Sequence, residues 1–321
     1  MSRPSARPIR RLALLLLLAA CGSRTGLFVD DSFGPLTGDG GTDGGPRRDG
    51  GLDGPEEDAL PPIDARPPRD ADRTDCPDAD ATLIYVITQD YELFSFDPIS
   101  GAFSAIGNIV CPAEPNATPF SMAVDRRGVA YVLFTDERLY RVSTATAACV
   151  GTPFVPGQLG FRRFGMGFTT DVAGPTERLY VAGSEQSNGA EGLARIDTNT
   201  FVLTKVGDFV PRIRNAELTG TGDGRLFGFY TKNLNNDPPT FVGELDPQSG
   251  SVVAETRFDG VELGGGWAFA FWGGDFYMFT APNRASSVVT RYRPADGSVT
   301  QVAALPTIVV GAGVSTCAPQ Q

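Results

Sequence analysis

From about residue 81 onward, short apolar runs alternate with turn residues, and few stretches are long enough for a helix. One strand-type segment recurs as Leu83-Ile84-Tyr85-Val86, Val129-Ala130-Tyr131-Val132, Leu179-Tyr180-Val181, Leu226-Phe227-Gly228-Phe229 and Phe276-Tyr277-Met278-Phe279. A second follows each copy, as in Leu139-Tyr140-Arg141-Val142-Ser143 and Leu193-Ala194-Arg195-Ile196-Asp197. Its polar members Arg195, Glu244 and Arg291 alternate with apolar neighbours and read as solvent-facing sheet positions. A turn closes each second segment, most clearly Asp97-Pro98-Ile99-Ser100-Gly101 and Asp246-Pro247-Gln248-Ser249-Gly250. Proline presets the backbone of such a turn and glycine accepts its left-handed end. A hairpin partner then begins at Ala102, Ala148, Val202, Ser251 and Ser298.

Counted from Asp97, these turns recur after 46, 54, 49 and 47 residues. A Gly- and Ala-rich segment precedes most units: Phe120–Val124, Phe164–Phe168, Ala216–Gly220 and Trp267–Phe271. Small residues suit strands that converge on an axis. Four strands per unit at this period predict an all-β, five-bladed β-propeller. The first unit lacks its inner strand, and a spare copy lies at Ile308–Val314. That C-terminal strand is expected to complete the first blade and close the ring.

Ahead of the repeats the pattern changes twice. Residues 1–20 carry Arg3, Arg7, Arg10 and Arg11, then the apolar run Leu12–Ala20, the form of a secretory signal peptide. The run is too short to span a bilayer, which takes roughly 20 residues. Leu18-Ala19-Ala20-Cys21 places a cysteine directly after small residues, the bacterial lipoprotein pattern, so Cys21 is the expected lipid attachment site. Gly22 is not the aspartate that signals inner-membrane retention in many Gram-negative bacteria, which favours the outer membrane. Residues 21–75 are rich in Asp, Gly and Pro and nearly free of aromatics, and read as a disordered tether. Residues 76–321 form the folded body.

Composition narrows the chemistry. The chain has 321 residues and no histidine, which removes the commonest general base and the commonest nitrogen ligand for zinc. Its formal charge of −11 falls to −15 once the four signal-peptide arginines are cleaved, and no basic cluster offsets it. Nucleic acid is therefore excluded as a partner. No cofactor or metal is expected, because Cys76, Cys111, Cys149 and Cys317 show none of the close spacings of a metal site. In an exported chain these four read as two disulfides, with three possible pairings. Ring closure selects among them: it brings Cys317 beside Cys76 and leaves Cys111 with Cys149 on consecutive blades.

Propellers commonly bind ligands at one mouth of the channel. Arg162 and Arg163, Arg212 and Arg214, Glu217 and Trp267 stand just before or within inner strands and are the candidate ligand residues. The arginine pairs have the geometry to clamp a carboxylate or sulfate; the simpler role is charge pairing with Glu177, Asp208 or Glu262. Glu217 is the only acid inside an inner-strand core, able to act as acid or base if burial raises its pKa, or to hydrogen-bond across the channel. Trp267 and Trp272 offer a sugar platform or, more simply, inter-blade packing. Paired-carboxylate glycoside hydrolysis needs a second channel acid, and Asp125 and Asp275 lie only at strand ends. No catalytic residue is assigned. The expected role is a monomeric, membrane-anchored binding or scaffolding module for an envelope protein or glycan, with a carboxylate-based glycoside hydrolase and a structural spacer without specific ligand as the alternatives. The contact loops would be Gly183–Glu191 and Tyr230–Pro239.

The set Phe120-Ser121-Met122-Ala123-Val124-Asp125, Phe164-Gly165-Met166-Gly167-Phe168, Trp267-Ala268-Phe269-Ala270-Phe271-Trp272-Gly273-Gly274 and Val314-Ser315-Thr316-Cys317-Ala318-Pro319 resembles a group of Gram-negative bacterial lipoproteins with an Asp/Gly/Pro tether and a propeller-like body. The resemblance spans roughly residues 76–319 and implies the fold and an envelope location. It implies no activity.

Overall fold

The structure is a computed structural model that describes residues 60–63, 82–171, 176–183, 192–234 and 236–321. The signal segment, Cys21, Cys76 and most of the loop Gly183–Glu191 lie outside the described residues.

Among the described residues, twenty strands form five four-stranded antiparallel sheets arranged as the blades of a propeller. Blade 1 contains β1 (Ile84–Thr88), β2 (Glu92–Asp97) and β3 (Ala102–Asn108). Blade 2 contains β4 (Pro119–Val124), β5 (Val129–Phe134), β6 (Leu139–Ser143) and β7 (Cys149–Gly151). Blade 3 runs through β8 (Phe164–Thr170), β9 (Glu177–Gly183), β10 (Gly192–Ile196) and β11 (Leu203–Gly207). Blade 4 follows with β12 (Arg214–Gly220), β13 (Leu226–Thr231), β14 (Thr240–Leu245) and β15 (Val252–Phe258). Blade 5 ends the series with β16 (Trp267–Trp272), β17 (Asp275–Thr280), β18 (Ser287–Arg293) and β19 (Ser298–Leu305). The last strand, β20 (Val309–Gly313), returns to blade 1 and pairs with β1, Tyr85 opposite Gly313 and Val86 opposite Ala312. The ring is therefore closed by the C-terminal strand, as the spare repeat predicts.

The core lies between blades, because each sheet has two apolar faces and each face needs a neighbour. Met122 and Val124 pack with Ile87 and Leu93 between blades 1 and 2. Phe96 meets Tyr277 and Phe279 across the closure between blades 1 and 5. Inner strands run so close that some positions exclude a side chain. A Cβ added to Gly165 would lie 2.0 Å from the Ala216 carbonyl oxygen, and one on Gly167 would lie 2.8 Å from the Leu218 carbonyl carbon.

The repeated turns share one hydrogen bond. Gly101, Ala147, Phe201, Gly250 and Gly297 donate N–H to the carbonyls of Asp97, Ser143, Asp197, Asp246 and Arg293. All five carry positive φ, from +58° to +83°, although Ala147 and Phe201 are not glycine.

Cys111, after β3, is joined to Cys149 at the start of β7, with Cα atoms 5.1 Å apart, so one staple links blades 1 and 2. Cys317 is disulfide-bonded as well; the Cys76 half of its expected pair lies outside the described residues.

One part of the stretch read as a tether departs from that reading. Residues 60–63 lie on the outer edge of blade 4, where Pro61 O accepts a 2.9 Å hydrogen bond from Glu255 N–H on β15. Leu60 packs into the cluster between blades 3 and 4, and Ile63 is buried in the cluster between blades 4 and 5. A sheet edge presents unpaired donors, and two apolar side chains straddling it supply the burial that a solvated tether lacks. The remainder of 21–75 lies outside the described residues.

Candidate functional site

Inner strands expose backbone groups along the channel, and polar side chains must satisfy them. Glu217 of β12 is 4% exposed. Its carboxylate accepts a 2.8 Å hydrogen bond from Ser121 Oγ on β4, and Met166 N–H on β8 also donates to it. One side chain thus ties together inner strands of blades 2, 3 and 4. Burial drives its carboxyl well above the usual range, and the two hydrogen bonds only partly oppose this. Thr219, two residues on, accepts 3.1 Å from Phe271 N–H of blade 5. Glu217 therefore bridges strands rather than loops.

The other predicted residues do not converge on it. Arg162 is exposed and lies 3.6 Å from Glu137. Arg163 sits over the Phe120 ring at 5.6 Å. Arg212 is exposed, and Arg214 opens β12 opposite Thr231. Of the acids expected to pair with these arginines, Asp208 pairs instead with Lys205, and Glu177 with Arg126. Trp267 donates its indole N–H to Asn215 O (2.9 Å), and Trp272 donates to Thr82 O (2.8 Å). Both indoles are fixed to the backbone of a neighbouring blade, which is inter-blade packing.

A denser polar cluster lies at the opposite, strand-end face. Arg126, in the turn after β4, donates Nη2–H to Thr170 Oγ1 (2.9 Å) and Nε–H to Thr316 Oγ1 (3.3 Å). Its backbone N–H donates to Glu177 Oε1 (2.9 Å), and Thr316 donates to Glu177 Oε2 (3.0 Å). Blade 2, blade 3 and the segment after β20 meet there. Glu177 is pushed up to about 7, chiefly by burial and further by the nearby Asp125 charge; the donors from Arg126 and Thr316 act the other way. Sequence reasoning missed this cluster. Its one signal was the placement of Asp125-Arg126 directly after an inner strand. Asp125 itself is occupied, accepting from the N–H groups of Arg127 and Val129 in its own turn. Asp275, at the corresponding end in blade 5, is held by Arg293 at 3.0 Å.

Three concave regions open among the described residues on this same face. The largest of these, about 560 Å³, lies between blades 3 and 4; a second of about 350 Å³ adjoins it around Arg178, Arg195 and Thr204. A third, about 270 Å³, lies beside Arg126, Tyr85 and Cys317. The predicted ligand residues border none of them.

No family model matches the chain, and no match exists among curated proteins at a significant level. Solved structures with a similar arrangement include a protein of unknown function from Bacteroides caccae (10% identity, 73% of this chain and 98% of that one, TM-score 0.38). TolB from Acinetobacter baumannii is similar at 14% identity over 74% of this chain and 55% of that one, TM-score 0.40. Hydrazine synthase from Kuenenia stuttgartiensis is similar at 15% identity over 68% and 64%, TM-score 0.36.

Proposed function

We propose that this chain is a non-catalytic binding or scaffolding module, carried on lipid at Cys21 in the Gram-negative cell envelope, most naturally the outer membrane, and directed at a protein or glycan. The observation that carries the non-catalytic part is the state of Glu217. The one acid in an inner-strand core is buried against Ser121 and Met166, engaged in holding strands together. Asp125 and Asp275 are engaged by their own turn and by Arg293. Carboxylate-based hydrolysis needs two acids free to face a sugar at about 5–10 Å. Support for binding comes from rigid blades with grooves between them, since recognition residues sit well on loops and edges fixed by a scaffold.

Two measurements test the reading. Labelling with a radioactive fatty acid should mark the wild-type chain and leave Cys21→Ser unmarked; equal labelling would remove the anchor. Crosslinking of the full chain in intact envelopes, followed by capture, should recover a specific protein or glycan. Recovery of nothing beyond background would favour a structural spacer.

A further inference from the structure

Each blade repeats one cross-strand pair between its second and third strands, facing a neighbouring blade. The pairs are Tyr85–Ser95, Tyr131–Arg141, Tyr180–Arg195, Phe227–Glu244 and Tyr277–Arg291. Where a charge stands in the third strand, the fold generally answers it. Arg291 lies 3.7 Å from Asp275, and Glu244 holds Arg225 at 2.7 Å. Arg141 lies within electrostatic reach of Asp125. In blade 3 the corresponding acid, Asp171, is taken by Arg178. Arg195 is left without an ion pair among the described residues.

The surroundings of Arg195 are equally unspent. Tyr180 is 6% exposed, yet its hydroxyl has no hydrogen-bond partner among the described residues. It borders the groove of about 560 Å³ between blades 3 and 4. The side chains of Thr204 and Gln248 also border it and make no hydrogen bond among the described residues. Blade 4 contributes Gly224 and Pro247, small turn residues that leave the wall open. Lys205 is neutralised by Asp208, and Asp246 is spent on the N–H of Gln248 and the hydroxyl of Ser249.

We infer that this groove binds a sugar carboxylate of the hexuronic acid class, with Arg195 receiving the carboxylate and Tyr180, Thr204 and Gln248 the ring hydroxyls. One unpaired guanidinium is a planar, two-pronged donor that matches a carboxylate. Hydroxyl and amide groups around it suit a polyol, and the volume falls in the range of small-molecule sites, far larger than a bare anion needs. This inference rests on the binding reading above and gives it a ligand class.

The test uses the full-length chain in detergent micelles, titrated with methyl glucuronoside, methyl glucoside and inorganic sulfate by calorimetry. Saturable binding of the glucuronoside is expected, with the glucoside about tenfold weaker or more, since it lacks the charge-assisted pair. Arg195→Gln should weaken glucuronoside binding about tenfold, and Tyr180→Phe roughly fivefold. Both should keep the wild-type melting temperature, because neither lost group has a partner among the described residues. Arg141→Gln, the equivalent change in blade 2, should bind as wild type. No binding, equal binding of glucoside, displacement by equimolar sulfate, or unchanged affinity in Arg195→Gln would each overturn the inference. If envelope crosslinking still captures a partner in that case, the groove assignment fails and the binding reading stands.

Discussion

Glu177 lies at the start of β9, where burial and the neighbouring Asp125 charge raise its carboxyl from 4.5 to about 7. A folded-state pKa above the unfolded one means that the folded protein binds the proton more tightly. The contribution of Glu177 to stability is then full below about 4.5 and is lost as pH rises through 7, by on the order of 3 kcal/mol for a shift of this size. Thermal unfolding of the wild type should therefore move to lower temperature between pH 5 and pH 8. Glu177→Gln should lose much of that slope and melt higher at pH 8, and an unchanged slope would show that the group is not strained. Glu217 contributes with the same sign, since its carboxyl is also raised by burial. At this second glutamate the shape of the side chain matters more than its charge. Glu217→Gln keeps an acceptor for Ser121 and Met166 and should hold stability at pH 7. Glu217→Ala leaves Ser121 Oγ and Met166 N–H unpaired in the interior and should cost about 2–3 kcal/mol by denaturant titration.

The strands differ in what they tolerate according to their distance from the axis. The outer strand β3 is mostly exposed, whereas all of β8 but its last residue is buried. Gly165→Ala drives a methyl group into the Ala216 backbone, which has no rotamer to yield with. A loss of about 3 kcal/mol or more is expected, or failure to fold. Blade 4 has an edge partner that the sequence pattern does not announce. Leu60 and Ile63 interrupt an otherwise polar, Pro-rich stretch, and two apolar residues in so acidic a context read as incidental. Only the folded edge of β15 gives them a groove on either side. Ile63→Ala should release the Pro61–Glu255 hydrogen bond, so amide exchange at Glu255 should accelerate while the melting temperature changes little. Retained protection at Glu255 would mean that the contact does not depend on Ile63.

At the scale of the whole ring, stability rests on closure. Removing residues 308–321 takes away β20, the inner strand of blade 1, together with Thr316, which ties that segment to Glu177. Such a chain should lose its single cooperative transition in circular dichroism. Cys111→Ser opens a covalent loop of 38 residues between blades 1 and 2. About 4 kcal/mol should be lost in the chain-entropy account, while the fold persists. The blade count, the strand order and the closing strand are legible in the amino-acid sequence by itself, because a repeat of apolar runs and turns leaves each unit with two faces that only another unit can cover. Turn positions are legible for the same reason, even where Ala147 and Phe201 stand in for glycine. The polar sites are not. Arg162, Arg163, Arg212 and Arg214 share a place in the repeat, but Arg162 reaches Glu137 whereas Arg163 lies over the Phe120 ring. Arg126, Glu177 and Thr316 come from three distant parts of the chain and meet only because the ring closes. Arg195 looks like its counterparts in sequence, but with Asp171 taken by Arg178 it has no ion pair among the described residues. Periodicity is a property of the chain and fixes the scaffold. Charge pairing is decided by distances of a few ångströms between blades, and no local pattern encodes those.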